Sequence, residues 1–406
     1  MIGNLAMPDC AAVVVERFPG VGGDGWARFD GPAGTQMVDS AIEAMATFSA
    51  SGENGCGGGF FAASAACDEV QATARVTVGE LLGAPPESIW FGPNMTTMTL
   101  AFTRALARDW APGDRIVCTQ LDHDADVTSW RLAASDRGAE VVVAPMDART
   151  GRLPTESVLE LLDERVRWVA VAGASNLLGS MPDLPAIARA AHAAGARLFV
   201  DAVALAVHRT IDVAVIGCDA LVTSAYKWYG PHAAAMYVEP ELLGSIRPYK
   251  LTASGDGGPS RLETGMPNYE ALAGVTAAAR YLLDEGMDRI AADEGAVFAP
   301  LLDGLLGIPG VTVWGPHDRA DRAPTVAFTI EGQAPAEVAR ALAAERIAVW
   351  SRHNYALGPV EALGLAETGG VVRAGVVRYI TEDDVDRLLA AVDRLARLAG
   401  SAGSAG

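Results

Sequence analysis

The stretch "TSAYKWYGPH", residues 223–232, puts Lys227 shortly after an apolar run of strand length, residues 220–223. Lysine normally stays in water, so a lysine at the end of a buried strand needs a chemical reason. A nucleophilic amine is one such reason. A surface side chain that snorkels into water is the plainer alternative.

A second apolar run, residues 197–200, leads into Asp201. Only one segment of strand length, residues 220–223, lies between Asp201 and Lys227. Because ligands bind at the carboxyl ends of the strands in such sheets, we expect both side chains at one edge of the sheet, close together. A helix cap is the alternative interpretation of Asp201.

Runs of strand length alternate with runs of helical periodicity over most of the chain. The predicted strands are residues 88–91, 115–120, 140–144, 167–172, 197–200 and 220–223. The predicted helices are residues 70–82, 96–109, 127–137, 155–165 and 184–194. This order predicts an α/β fold with a mostly parallel sheet covered on both faces. After residue 270, further helices, a strand at 347–350 and a last helix at 382–398 predict a smaller C-terminal α/β domain.

The composition argues against several classes of function. Asp and Glu number 50 against 31 Lys and Arg, and a net charge of -19 disfavours nucleic acid as a partner. No apolar run is long enough for a membrane span and no signal peptide is evident, so we expect a cytoplasmic protein. The five cysteines are scattered without a CxxC pair, which indicates neither a disulfide framework nor a metal site.

Polar side chains follow the predicted strands at the edge where ligands bind. Thr96 and Thr97 open a helix, and a helix N-terminus is a natural seat for phosphate. An imidazole, an amide, a carboxylate and an amine follow the other strands: His123, Asn176, Asp201 and Lys227. Pyridoxal phosphate needs such a set, with an amine to bind it, a carboxylate at its ring nitrogen, an anion seat and a flat group over its ring.

Some of these residues have plainer interpretations. His123 lies in the acidic stretch "DHDAD", where it is also compatible with a surface position. The aspartates of that stretch more often cap a helix than hold a metal ion. Arg373, considered below, is also compatible with an ordinary ion pair.

Nine motifs in order along the chain resemble those of one protein family. They are "FDGPAGTQ", "FGPNMTT", "LDHDAD", "SNLLGS", "VDAVALAVH", "TSAYKWYGPH", "RLETGMPNYEALAG", "VWSRHNYALGPVEALGL" and "VVRAGVVRYITEDDVDRLL". By these motifs the chain resembles the cysteine desulfurase-like branch of the class V aminotransferases. These are pyridoxal-phosphate enzymes of fold type I, with a large domain around a mostly parallel sheet of the seven-stranded type.

The resemblance implies a role for each candidate residue. Lys227 is then the Schiff-base lysine, Asp201 the partner of the ring nitrogen, and His123 the imidazole stacked on the ring. The remaining cofactor contacts fall on Asn176 near the phenolic oxygen and on Thr96, Thr97, Ser224 and Tyr226 at the phosphate. Arg373 would clamp the substrate α-carboxylate. The loop 263–268 would complete the site of the neighbouring subunit in a homodimer.

The resemblance also implies a division of the chain. Residues 1–30 would form an N-terminal arm that belongs to the small domain and the site entrance. Residues 31–285 would form the large cofactor-binding domain, and residues 286–398 the small domain. Residues 399–406 are expected as a disordered tail, because "GSAGSAG" is typical of a linker.

The departures from the family pattern concern the substrate side. In the desulfurases a mobile loop carries a cysteine that accepts sulfur, and here Tyr355 matches its position. No cysteine follows Cys218 in the chain. Ala204 and Met266 replace polar residues that relatives usually place near the cofactor. The substrate wall would then be formed by Trp350, Arg352, His353 and Tyr355.

A pyridoxal-phosphate enzyme without the acceptor thiol suggests a carbon–sulfur lyase. We expect β-elimination from an S-substituted cysteine in secondary metabolism, with catalytic candidates Lys227, His123, Asp201 and Tyr355. One alternative is decarboxylation coupled to oxidative deamination of such a conjugate to an aldehyde. Amino transfer, epimerisation and a catalytically silent cofactor-binding protein also remain open.

Overall fold

The computed structural model describes residues 14–403. Within that range the strands are β1 (Ala27–Arg28), β2 (Ile89–Gly92), β3 (Arg115–Thr119), β4 (Glu140–Ala144), β5 (Val166–Ala172), β6 (Arg197–Asp201), β7 (Ala220–Ser224), β8 (Ala234–Val238), β9 (Val311–Trp314), β10 (Thr325–Ile330), β11 (Ile347–Ala348), β12 (Trp350–Arg352) and β13 (Val371–Gly375). The α-helices are α1 (Asp39–Ala50), α2 (Ala62–Leu82), α3 (Met95–Leu106), α4 (Asp124–Ser135), α5 (Thr155–Leu159), α6 (Leu184–Ala193), α7 (Val213–Ile216), α8 (Pro240–Ser245), α9 (Tyr269–Glu285), α10 (Met287–Gly307), α11 (Pro335–Ala344), α12 (Leu357–Ala362) and α13 (Glu382–Gly403).

A seven-stranded sheet forms the centre of the large N-terminal part. Its strand order is β2-β8-β7-β6-β5-β3-β4. The strands from β7 to β4 in this order are parallel to their neighbours, and β8 runs antiparallel to both β7 and β2. The predicted α/β fold with a mostly parallel sheet is confirmed.

Apolar side chains bury both faces of this sheet. All residues of β7 and β8 are buried, as expected for strands covered by helices on both sides. Phe102 of α3 packs against Trp168 and Phe199, with ring centroids 5.9 Å apart in both pairs. This contact holds α3 against the sheet, so that its N-terminus lies near the carboxyl ends of the strands.

The C-terminal part contains a four-stranded antiparallel sheet of order β12-β13-β10-β9. The short strand β1 pairs with β11 in parallel, so residues 27–28 join the C-terminal part of the chain. Gly286, at a φ of 80°, separates α9 from α10. Residues 1–13 of the predicted arm lie outside the described residues, and the predicted domain limits stay a prediction.

Several elements differ from their predicted bounds. The helix predicted at 155–165 ends at Leu159, because Asp163 accepts a hydrogen bond from the N–H of Arg165 in a local turn that competes with the helix. The strand predicted at 347–350 is divided between β11 and β12, which pair in different sheets.

The expected disordered tail also differs from the structure. Residues 399–403 continue α13 as helix, because each residue added to an existing helix gains a hydrogen bond without a new nucleation cost. Residues 404–406 lie outside the described residues. No helix between residues 14 and 403 has the length and apolar character needed to cross a membrane.

Candidate active site

A cavity of about 790 Å³ lies at the carboxyl end of the parallel sheet, beneath the loop that follows β12. It brings together most of the residues predicted from sequence, namely Thr96, His123, Asn176, Asp201, Tyr226, Lys227, Arg352, His353, Tyr355 and Arg373. Ala204 and Trp350 also line it. Met266 does not, and its side chain is exposed.

Lys227 lies in a single 3-10 turn directly after β7. Its Nζ donates to the carbonyl oxygens of Pro32 and Ala33, at 2.5 and 2.8 Å. Burial lowers the pKa of Lys227 to about 7; the positive charge of Arg373 acts in the same direction, and Asp201 opposes both. A large share of the amine is therefore neutral and nucleophilic near pH 7.

Asp201 is the last residue of β6 and is buried. Its Oδ1 accepts a hydrogen bond from the N–H of Val203 at 2.9 Å, and no partner for Oδ2 is seen within residues 14–403. Burial raises the pKa of Asp201, while the Val203 bond and the positive charge of Lys227 lower it. A cationic ring nitrogen at Oδ2 would compensate this buried charge.

Two more buried carboxylates, Asp122 and Asp126, lie near Asp201 at the start of α4. Asp122 accepts from the N–H and the hydroxyl of Thr119, at 2.6 and 2.9 Å, and from the N–H of Ala172 at 2.7 Å. Asp126 Oδ2 is buried without a partner in the described part of the chain. Burial raises the pKa of both groups, and repulsion among the three carboxylates adds to it. The hydrogen bonds of Asp122 connect the ends of β3 and β5 to the turn before α4. This structural role explains the acidic stretch and needs no metal ion.

His123 is the N-cap of α4. Its Nδ1 accepts from the N–H of Ala125 at 3.0 Å, so the proton of the neutral ring lies on Nε2. Burial lowers the pKa of His123 to about 4, and the positive charges of Lys227 and Arg373 add to the effect, so the ring is neutral at pH 7. The Tyr355 ring stacks on it, with centroids 5.4 Å apart and an interplanar angle of 26°.

The N-terminus of α3 lies at the cavity, where Met95 and Thr96 are among the lining residues. Asn94 caps the helix, because its Oδ1 accepts from the N–H of Thr97 at 2.8 Å. The Ser224 hydroxyl accepts from the N–H of Met95 at 3.1 Å and ties β7 to this helix. Thr96 lines the cavity, and its N–H has no partner within the described residues; Thr97 and Ser224 do not line it. The seat for an anion therefore centres on Thr96.

Tyr226 lies beside Lys227 on the wall of the cavity. Its ring stacks on His232, with centroids 5.1 Å apart and an interplanar angle of 17°. The Lys227 Nζ is 5.3 Å from the centroid of the Tyr226 ring. The stack fixes the orientation of Tyr226 next to the amine.

Arg373 lies in β13 and is 4% exposed. Its Nη1 donates to the carbonyl oxygen of Asn176 at 2.8 Å, whereas its Nε and the Asn176 Oδ1 are buried without partners in the described residues. Burial lowers the pKa of Arg373 to about 9, against the negative charge of Asp30. A buried guanidinium without a carboxylate partner is unfavourable, and a carboxylate entering the cavity would restore a bidentate pair.

The loop that follows β12 closes the cavity from the C-terminal side. Arg352, Asn354 and Tyr355 have φ values of 78°, 50° and 57° in the left-handed region. The N–H of Asp124 donates to the Tyr355 carbonyl at 2.7 Å, and the Asn176 side chain donates to the Asn354 carbonyl at 2.7 Å. The loop is thus fixed to the large domain at two points.

Sequence reasoning missed part of the site. The carbonyl oxygens of Pro32 and Ala33 hold the lysine, and backbone atoms leave no residue-specific signal; only the turn signal "GPAG" at 31–34 marks this position. The outer wall includes Leu100, Thr128, Ser129 and Leu132, which come from α3 and α4. Their helical spacing resembles that of any surface helix.

The cavity contains neither a thiol nor a metal cluster in the part of the chain that is described. Cys67, Cys118 and Cys218 are buried and Cys56 is exposed, and none of them lines the cavity. No three His, Cys, Asp or Glu side chains among residues 14–403 are arranged to hold a metal ion. The available groups are an amine, a neutral imidazole, carboxylates, a guanidinium and a helix N-terminus.

Comparison with known proteins gives a consistent result. Residues 28–388 match the family model of the class V aminotransferases. A probable cysteine desulfurase of Mycolicibacterium paratuberculosis is 33% identical over 91% of this chain, which spans 55% of that relative's length. A cysteine desulfurase of Pectobacterium carotovorum is 30% identical over 94% of this chain and 96% of its own.

The solved structures agree with the sequence relatives. A crystal structure of a cysteine desulfurase from Escherichia coli superposes with a TM-score of 0.86 at 27% identity, and covers 96% of this chain and 98% of its own. The match therefore extends over both sheets and the cavity between them. The chain belongs to the class V aminotransferase family and, within it, to the cysteine desulfurase-like branch.

Proposed function

We propose that this chain is a carbon–sulfur lyase that cleaves S-substituted cysteines by β-elimination. In the net reaction the Cβ–S bond breaks and the thiol leaves with a proton. Water converts the remaining three-carbon fragment into pyruvate and ammonium. The family makes the chain a pyridoxal-phosphate-dependent enzyme, and the proposal concerns the substrate and the bond that is broken.

The residues of the cavity fit pyridoxal phosphate. Lys227 would bind it covalently, Asp201 would face its ring nitrogen with Oδ2, and the N–H of Thr96 would meet its phosphate. The orphaned Oδ1 of Asn176 would accept from a hydroxyl at the ring, and His123 would cover the ring face. When bound, the cofactor supplies an electron-withdrawing ring that takes up the charge left at Cα.

The substrate carboxylate would pair with Arg373. Its buried Nε lacks a partner in residues 14–403, and burial already disfavours its charge, so an incoming carboxylate gains a strong charge-assisted bond there. The Lys227 amine lines the same cavity, close enough for the charge of Arg373 to lower its pKa. With its pKa lowered to about 7, this amine is suited to remove the Cα proton as a general base.

The observation that carries elimination over sulfur transfer is the loop after β12. This loop carries Tyr355, whose ring stacks on His123, and no cysteine of residues 14–403 lines the cavity. Sulfur leaving Cβ therefore meets no thiolate acceptor from residues 14–403. The thiol is released with its substituent, which supports a lyase.

The test is product analysis by mass spectrometry. The cofactor-loaded protein is incubated in air with a panel of S-substituted L-cysteines, with Lys227→Ala as the inactive control. Pyruvate and an equimolar thiol are expected. An aldehyde that keeps its sulfur but has lost the carboxyl and amino groups would replace this proposal with the decarboxylating, oxidative route, and a keto acid that keeps the sulfur would indicate amino transfer.

We further propose a homodimer in which the loop 263–268 serves the neighbouring site. Glu263 anchors the loop on its own chain through a 2.8 Å ion pair with Arg75, while Gly265 and Met266 are exposed. None of these loop residues lines the cavity of its own chain. Sedimentation equilibrium tests the dimer, and loss of activity in a Met266→Asp variant that sediments as a monomer would support the shared site. Cytoplasmic location and a role in secondary metabolism stay predictions.

A further inference from the structure

Arg352 is a cation without a partner at the mouth of the cavity. It lines the cavity, and no hydrogen bond or ion pair of its guanidinium occurs within the described residues. By contrast, Arg75 and Arg378 are paired with carboxylates of their own chain. The guanidinium of Arg352 is therefore free to bind a ligand. It presents five N–H donors to whatever enters.

Strand pairing relates Arg352 to the carboxylate-binding arginine. Trp350 is opposite Arg373 and Arg352 is opposite Val371 in the β12–β13 ladder. Arg352 and Arg373 are therefore diagonal neighbours on two paired strands, roughly 7–8 Å apart. Both line the same cavity, one buried inside it and one at its exit.

The backbone of Arg352 is held in a conformation that arginine rarely adopts. Its φ of 78° lies in the left-handed region, which favours glycine. Gly370 packs directly against it, and a Cβ there would lie 2.5 Å from the Arg352 carbonyl carbon. Such strain persists only where the surroundings enforce it, and it clusters at functional sites. An arginine at a glycine-type position of a cavity mouth indicates a task for its side chain.

The neighbouring histidine adds a second donor. His353 Nδ1 accepts from the N–H of Tyr355 at 2.9 Å, so the proton of its neutral ring lies on Nε2. Two carboxylates line the cavity, Asp124 and Asp201. Asp124 accepts from the Thr128 hydroxyl at 2.7 Å, and no ion pair between Asp124 and Arg352 occurs among residues 14–403. Arg352 and His353 therefore keep free donors at the mouth.

We propose that Arg352 binds an anionic group on the S-substituent of the substrate. The substrate class is then a cysteine S-conjugate with two anions: the α-carboxylate, bound at Arg373, and a second acidic group, bound at Arg352. This inference rests on the proposed lyase function and specifies its substrate. Hydrogen bonds to a charged group contribute about 1.5–3 kcal/mol, which corresponds to a preference of about 10- to 100-fold for the acidic conjugate.

The test compares two conjugates that differ only in charge. S-(2-carboxyethyl)-L-cysteine and its amide, S-(2-carbamoylethyl)-L-cysteine, are given to the cofactor-loaded protein. We expect kcat/KM to favour the acid about 10- to 100-fold in the wild type, mainly through KM. Arg352→Gln is expected to remove the preference, Arg352→Lys to retain part of it, and the remote, exposed Arg149→Gln to leave it unchanged.

Equilibrium binding separates this inference from the proposed function. Isothermal titration of each conjugate into the Lys227→Ala variant incubated with pyridoxal phosphate, which should not turn over, measures the same preference as binding alone. Equal affinities for acid and amide, or a preference that survives Arg352→Gln, would overturn the role of Arg352. Tight, Arg352-dependent binding of the acid without thiol release by the wild type would retain that role and reject the lyase.

Discussion

Lys227 combines a buried position with a surrounding that favours its neutral form. Its hydrogen bonds go to two backbone carbonyls, Pro32 and Ala33, which accept from an ammonium or an amine without adding a full negative charge. Burial and Arg373 then lower its pKa to about 7. A carboxylate in place of those carbonyls would have raised the pKa and left the amine protonated.

The chain has only two lysines, Lys227 and Lys250, which makes covalent attachment of the cofactor easy to assign. We expect Lys227→Ala to abolish turnover and the absorbance of the attached cofactor. After borohydride reduction of the wild type, peptide mapping should find the label on Lys227 alone. Lys250→Ala serves as the matched control, and label or turnover that persists in Lys227→Ala would contradict the assignment.

Attachment of the cofactor should follow the titration of Lys227. The neutral amine is the nucleophile, so the attachment rate to the apo protein should rise with pH and level off above about 7, well below the value of 10.5 for an ordinary lysine. Between pH 7 and pH 10.5 the Lys227 amine is protonated in the unfolded chain and neutral in the folded chain. Lys227 therefore lowers the free energy of unfolding of the apo protein as the pH falls from 10.5 to about 7.

The control for this pH profile is Arg373→Gln. Removing that positive charge should raise the pKa of Lys227 and move the midpoint of the attachment rate to higher pH. Stopped-flow absorbance between pH 6 and 10 gives both midpoints. A wild-type midpoint near 10, or one that Arg373→Gln leaves in place, would show that the amine is not tuned in this way.

At the scale of the elements, the loop after β12 determines what happens to the sulfur. Two hydrogen bonds fix it, from Asp124 to the Tyr355 carbonyl and from Asn176 to the Asn354 carbonyl. A persulfide acceptor must reach the substrate sulfur as a thiolate and then carry the sulfur away. A fixed loop with three left-handed residues is unsuited to that movement.

Tyr355→Cys should therefore fail to create an efficient desulfurase. We expect sulfur transfer to the introduced thiol at less than about a tenth of the rate of thiol release from S-substituted cysteines. The rate of sulfur transfer is measured as sulfide released from cysteine in the presence of a reductant. Tyr355→Phe, which keeps the ring over His123, is the control for loss of stacking. Fast sulfur transfer by the cysteine variant would show that only the thiol was missing.

The strands and helices could be predicted where burial dominates the sequence pattern. β6 was predicted at residues 197–200 and runs from Arg197 to Asp201, because its apolar residues are buried between two parallel neighbours. β8, the alanine-rich "AAMYV", was not predicted, because its strand conformation depends on pairing with both β2 and β7. The rule that ligands bind at the carboxyl ends of the strands was sufficient to predict that His123, Asp201 and Lys227 lie together. It could not place the carbonyl oxygens at Pro32 and Ala33, nor the strained backbone of the Arg352 loop, because these depend on contacts between distant segments.

At the scale of the whole molecule, a buried polar network joins the two halves around the site. Glu294 of α10 contacts His208 at 2.7 Å and accepts from the Tyr229 hydroxyl at 3.3 Å. The same hydroxyl accepts from the N–H of Arg378 at 3.1 Å. Phe18 packs against the Tyr229 ring, with centroids 5.1 Å apart. Tyr229 has a left-handed φ of 68° and follows Lys227 by two residues, so this junction also holds the segment that carries the catalytic amine.

Glu294 is the residue on which this junction depends, because it is 2% exposed and bonds to both His208 and Tyr229. Glu294→Ala leaves the buried His208 without this partner and the Tyr229 hydroxyl without an acceptor for its proton, and should lower the free energy of unfolding by about 3–5 kcal/mol. Glu294→Gln keeps the shape and part of the bonding, and should cost about 1–3 kcal/mol. Urea midpoints followed by circular dichroism measure the difference, and Glu337→Ala, whose side chain is exposed on α11, should stay within about 0.5 kcal/mol of wild type. A Glu294→Ala midpoint equal to that of Glu337→Ala would mean that the two halves are held together by apolar packing alone, and the affinity for pyridoxal phosphate should then be unchanged as well.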